Sequence, residues 1–108
     1  MVLSEYRDAN GTSPFEVWFR ALDAVAEAKI TRALLRLEAG NFSNVKGVGS
    51  VVFELKVDFG PGWRVYFGND GSEIVILLGG GRKRRQQRDI EAAHGRWQDF
   101  KRRKKGRT

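Results

Sequence analysis

Between residues 51 and 67 apolar and charged side chains alternate with a period of two, a pattern that fits β-strands and excludes an amphipathic helix. Phe53, Leu55, Val57 and Phe59 alternate with Glu54, Lys56 and Asp58, and beyond Gly60-Pro61-Gly62 the residues Trp63, Val65 and Phe67 alternate with Arg64 and Tyr66. A hairpin that puts both apolar sets on one face, closed by a three-residue loop, pairs Phe59 with Trp63 and Val57 with Val65. Lys56, Arg64 and Tyr66 then share the opposite face, with Asp58 across from Arg64 and Lys56 across from Tyr66.

Helical and extended signals flank this hairpin. Residues 2–7 are β-like and end in a turn at Asn10-Gly11. Ser13, Pro14 and Glu16 combine an N-cap, a proline in the first helical position and a capping-box glutamate, so a helix starts there and carries Phe15, Trp18, Phe19 and Leu22. A second helix over residues 24–39 repeats Ile30, Ala33, Leu34 and Leu37 at helical spacing and stops at Gly40. Its outer face carries Lys29, Arg32 and Arg36, which reads as a solvated row. Residues 73–78 form an apolar run suited to a strand buried on both faces, which Gly79-Gly80-Gly81 ends. Residues 83–103 repeat apolar side chains at Ile90, Ala93 and Trp97, as a helix does.

With 108 residues, 41% of them hydrophobic, the chain suits one folded domain over residues 1–100, followed by a basic, flexible tail at 101–108. The longest aliphatic run, Ile74 to Leu78, falls far short of the roughly 20 residues a bilayer span needs. The first residues lack the basic start of a secretory signal, so a cytoplasmic protein is expected. There is no cysteine and one histidine, which excludes a thiolate nucleophile, a disulfide framework and a Cys/His zinc site. The net charge of +7 is unevenly placed: residues 1–80 carry 8 basic and 10 acidic side chains, whereas residues 81–108 carry 12 and 3. A cationic block of this kind concentrates polyanions, of which nucleic-acid backbones are the commonest in a cell.

Metal-free cleavage of RNA needs a group to deprotonate or orient a 2′-hydroxyl, positive charge for the phosphorane and a proton for the leaving 5′-oxygen. His94 sits beside Ile90 and Trp97 at helical spacing and reads as a packing residue, which leaves lysine as base and arginine as clamp. Tyr66 is placed to stack on a base or to cover Lys56. The same residues also suit an ordinary half-exposed sheet in which Arg64 pairs with Asp58 across the strands.

The stretch Asn10-Gly11-Thr12-Ser13-Pro14-Phe15-Glu16-Val17-Trp18, the Gly40-Asn41-Phe42 turn, the run from Glu54 to Phe67, Leu77-Leu78 with Gly80-Gly81, and Gln86-Gln87-Arg88-Asp89-Ile90 with Trp97 resemble the RelE/ParE toxin superfamily. The resemblance covers residues 6–100 and is nearest to the HigB-like addiction-module killer branch. It implies an α+β fold, a small antiparallel β-sheet with two N-terminal helices on one face and a C-terminal helix. It also implies a cognate antitoxin and, for RelE-like members, cleavage of mRNA on the ribosome by 2′-hydroxyl attack without metal or other cofactor. By the same resemblance Arg64 contacts the scissile phosphate, Lys56 and Lys83 complete a catalytic set, and Gln86 matches the same segment; on their charge and placement Arg82, Arg84, Arg85 and Arg88 are expected to bind RNA with Gln86 and Tyr66. Arg82 stands where the family pattern is acidic, and Arg84 and Arg85 where it is small and polar. Two alternatives stay open: a ParE-type toxin that blocks DNA gyrase by protein contact, and a non-toxic nucleic-acid-binding regulator.

Overall fold

A computed structural model describes residues 1–106. Its elements follow the chain as β1 (Val2–Glu5), α1 (Pro14–Arg20), α2 (Ala24–Glu38), β2 (Val45–Gly47), β3 (Val52–Val57), β4 (Trp63–Asp70), β5 (Ile74–Arg82), a single 3₁₀ turn (Lys83–Arg85) and α3 (Gln86–Lys105). The strands form one sheet in the order β1-β5-β4-β3-β2. Four of them run antiparallel as expected; β1 joins the far edge parallel to β5, with Val2 opposite Ile74 and Glu5 opposite Leu77. Among the described residues no helix is long and apolar enough to cross a membrane.

Local chemistry accounts for the helix starts. The Ser13 hydroxyl accepts the Glu16 amide at 3.1 Å, and the Asp23 carboxylate accepts the Ala26 amide at 2.8 Å, each satisfying a donor the first helical turn leaves free. On α2 the residues Ala26, Ile30, Ala33 and Leu37 are buried, one face of a 3.6-residue repeat. They meet Phe15, Leu55, Trp63, Val65, Phe67, Val75 and Leu77 in the larger of two cores, between the N-terminal helices and one face of the sheet.

The second face is covered as well. Tyr6, Val52, Tyr66, Ile76 and Leu78 pack under Ala93 and Trp97 of α3, so the face expected to be polar and half open lies largely beneath a helix. The cause is β5, whose side chains are apolar on both faces and require cover on both.

The central hairpin keeps its expected faces but changes partners. Val57 pairs with Trp63, Lys56 with Arg64, Leu55 with Val65 and Glu54 with Tyr66, two residues away from the register expected above. Asp58 to Gly62 form a five-residue loop, closed by hydrogen bonds from the Phe59 amide to the Val57 carbonyl at 3.1 Å and from the Gly62 amide to the Phe59 carbonyl at 3.0 Å. Phe59 leaves the strand and lies under the Lys29 ammonium, 5.2 Å from its ring centre. A slip of two preserves side-chain parity, which is why the faces survived while the pairs did not.

The glycine run does not end β5; it lies inside it. A Cβ on Gly80 would come within 2.3 Å of the Trp18 ring, and one on Gly81 within 1.9 Å of Asp89 Oδ2, so glycine is required there for α1 and α3 to approach the strand from either side. The strand continues to Arg82, and α3 consequently begins at Gln86 rather than at residue 83.

Within the expected tail at 101–108, residues 101–105 continue the last helix. α3 runs to Lys105, and its end is tied down. Tyr6 Oη donates to Asp99 Oδ2 at 2.6 Å, Arg103 donates to the same oxygen at 2.6 Å and to the Arg7 carbonyl, and Lys104 pairs with Asp70. Residues 107 and 108 of that tail lie outside the described residues. Hydrogen bonds from Tyr6, Arg103 and Arg102 hold the Asp99 carboxyl well below the usual carboxylate range. A carboxyl lowered in the folded state stabilises it above its ordinary pKa and loses that contribution as pH falls through the folded value. Thermal melts of Asp99→Asn should therefore fall less steeply than wild type from about pH 5 downward. Parallel curves for the two proteins would show that this clamp contributes nothing.

Candidate functional site

The site forms where three neighbouring strands and the start of α3 converge. Lys56 on β3 lies opposite Arg64 on β4, and Arg64 lies opposite Gly81 on β5. The Lys83 amide donates to the Gly62 carbonyl at 2.9 Å. Gly62 stands between the two cations: a Cβ on it would be 3.4 Å from Lys83 Cβ and 3.6 Å from Arg64 Nη1. The three residues assigned to catalysis by resemblance are thus neighbours around one turn.

Their environments differ. Lys56 is exposed and pairs with Asp58 at 3.4 Å, an interaction of small energetic weight at a surface. Lys83 is exposed on the 3₁₀ turn. Arg64 is only 4% exposed, with Nε 3.2 Å from Glu54 Oε1 and Nη1 donating to the Trp63 carbonyl at 3.0 Å. Its partner is the neighbouring strand's Glu54, not Asp58.

The residues expected to bind RNA fall into three groups. Arg84, Arg85 and Arg88 are exposed on the turn and the first part of α3, and the Arg85 and Arg88 charges both act on Asp89. Arg82 faces the other side of the sheet, its guanidinium 5.6 Å from a Trp63 ring, and lines a groove with Trp18, Arg85 and Asp89. Gln86 and Tyr66 are engaged internally. Gln86 Nε2 donates to Glu54 Oε2 at 2.6 Å, and Tyr66 is fully buried, so no base reaches its ring. Burial, with the nearby charges of Glu54 and Asp89, pushes the Tyr66 hydroxyl well above its ordinary range and keeps it protonated. His94 is half-buried and donates through Nε2 to the Val48 carbonyl at 2.9 Å, a packing and bridging role.

Two features escaped the reading of the sequence. Asp89 packs against Gly81 with its Oδ2 unpaired, and burial raises its carboxyl above the usual range despite Arg85, Arg88 and Arg96 nearby. The α2 row of Lys29, Arg32 and Arg36, read as merely solvated, lines one wall of a groove whose other wall includes Lys56. Among the described residues, no cluster of three His, Asp or Glu side chains is arranged to hold a metal ion.

The architecture is thus a five-stranded mixed sheet between two N-terminal helices and one C-terminal helix, with cations gathered over a buried ion pair. The chain belongs to the family described as phage derived protein Gp49-like (DUF891), whose pattern matches residues 17–98. A protein of Haemophilus influenzae, described only as uncharacterized, is 43% identical over 83 residues, which span 76% of this chain and 84% of the relative.

Proposed function

We propose that this chain is the toxin of a toxin–antitoxin pair, a HigB-like member of its superfamily that acts in the cytoplasm as a metal-independent endoribonuclease on ribosome-bound mRNA. The observation that supports this reading best is the grouping of Lys56, Arg64 and Lys83 around Gly62, beside the exposed Arg84, Arg85 and Arg88. Lys56 and Lys83, being exposed, meet the phosphate directly, while Arg64 supports them from beneath with a fixed charge. In the step they serve, the 2′-oxygen bonds to phosphorus and the bond from phosphorus to the 5′-oxygen breaks. One proton leaves the 2′-hydroxyl and one reaches the 5′-oxygen, giving a cyclic phosphate and a 5′-hydroxyl end. Preorganised cations stabilise the extra charge of that transition state without reorganising during the reaction.

Brief expression in a bacterial host, followed by mapping of new 5′-hydroxyl RNA ends, tests the proposal. Ends inside translated frames are expected, and they should fall at least roughly 100-fold in a Lys56→Ala/Lys83→Ala variant, a loss of the size that follows removal of charge-stabilising groups. Both lysines are exposed, so the variant keeps its fold. Growth arrest without new ends would overturn the ribonuclease reading in favour of the gyrase-blocking one.

A further inference from the structure

Only two charged side chains among the described residues are buried, Arg64 and Glu54, and Glu54 is the deeper of them at 1% exposure. Both of its oxygens are engaged. Oε1 faces Arg64 Nε at 3.2 Å and Lys46 Nζ at 3.8 Å, and Oε2 accepts from Gln86 Nε2 at 2.6 Å. One carboxylate thereby joins β2, β3, β4 and the first turn of α3. Its charge lies against the Nε edge of Arg64 as an ion pair without a hydrogen bond to Nε, and the Trp63 carbonyl accepts from Nη1, an arrangement that sets the Nη end of the guanidinium beside Gly62.

We propose that Glu54 is a positioning residue for the site: it fixes the Arg64 guanidinium and, through Gln86, the start of α3 relative to Lys56 and Lys83. The inference rests on the ribonuclease reading above. Desolvation of a buried ion pair offsets most of its Coulombic attraction, so an apolar pair would hold these strands at least as well, and what the charges add is direction. A site that needed only positive potential would do better without Glu54, because its carboxylate opposes Lys46, Lys56, Arg64 and Lys83 alike. A site that needs an oriented guanidinium does worse.

Glu54→Gln separates these cases, since it keeps the shape and removes the charge. In single-turnover cleavage of mRNA on purified ribosomes, the maximal rate should fall about 100-fold, while the ribosome concentration for half-maximal rate stays the same or drops. In an Arg64→Lys background the same substitution should cost less than about threefold, because the geometry it protects is already lost. A folded Glu54→Gln variant that cleaves as fast as wild type, or a full loss that persists in the Arg64→Lys background, would overturn the proposal. If wild type cleaves nothing, the ribonuclease reading falls by itself, and the arginine Nε–H signals in nitrogen-15 NMR decide on Glu54. One sharp, exchange-protected Arg64 resonance that Glu54→Gln broadens supports positioning; an identical resonance in both proteins refutes it.

Discussion

Arg64→Ala is expected to melt more than about 10 °C below the wild-type protein, although the side chain removed is the most polar kind there is. The loss comes from what remains. Glu54, 1% exposed, would be left with Gln86 and a distant Lys46 as its remaining partners, and breaking a buried pair by removing one member costs about 3–5 kcal/mol. In a domain of this size each kcal/mol shifts the melting temperature by roughly 4–8 °C. Removing both charges together, as Glu54→Gln with Arg64→Met, should recover most of the loss, because no ion is then left without a partner in the interior. Circular-dichroism melts of the two variants check this, and an Arg64→Ala protein within about 3 °C of wild type would contradict it. For activity assays this means that a silent Arg64→Ala protein says little about chemistry, whereas a folded, silent double variant says a great deal.

The second large effect concerns α3. Trp97 is 4% exposed, covers Gly68 so closely that a Cβ there would lie 2.5 Å from its ring, and stacks on Phe100 with ring centres 5.4 Å apart. With Ala93 it is the main buried contact between the helix and the sheet. Trp97→Ala should cost about 3–5 kcal/mol, as large-to-small changes at buried tryptophans do. Because that ring lies between the Gln86 contact to Glu54 at one end of α3 and the Asp99 contact to Tyr6 toward the other, both should weaken together. Urea denaturation and amide hydrogen exchange measure the two consequences: a lower midpoint, and faster exchange in α3 than in β4. An unchanged midpoint, or α3 amides protected as in wild type, would show that the helix is held by something else.

The parts of this molecule that were legible in the sequence are those set by local periodicity. Ser13 and Gly40 mark the helix ends where the structure has them, and the alternation from Phe53 to Phe67 assigns each side chain to its observed face. The pairing was not legible, because a three-residue and a five-residue loop preserve the same parity and only the fold of Phe59 onto α2 chooses between them. Glu54 was read as one of the charges on an open face for a related reason: periodicity tells which face a residue takes, not what covers that face. A signal was nevertheless present. Ile76 and Leu78 oppose Leu77 on β5, so the second face needed cover, and Ile90, Ala93 and Trp97 were the one apolar stripe left to supply it. Any charge on that face of β3 or β4 was therefore due to be enclosed. The glycines misled in the opposite sense, since Gly79-Gly80-Gly81 resembles punctuation and serves instead as clearance for Trp18 and Asp89.

The parallel seat of β1 has a consequence in time. During synthesis β1 leaves the ribosome before every other strand, yet its partners, Ile74 to Leu77, emerge after all the others have formed, and the helix that roofs the far side follows later still. A nascent chain that has reached β4 can close its central hairpin, but Glu54 and Arg64 then face water, and the contact with Gln86 does not yet exist. Enclosure of the ion pair therefore waits for the last helix to dock.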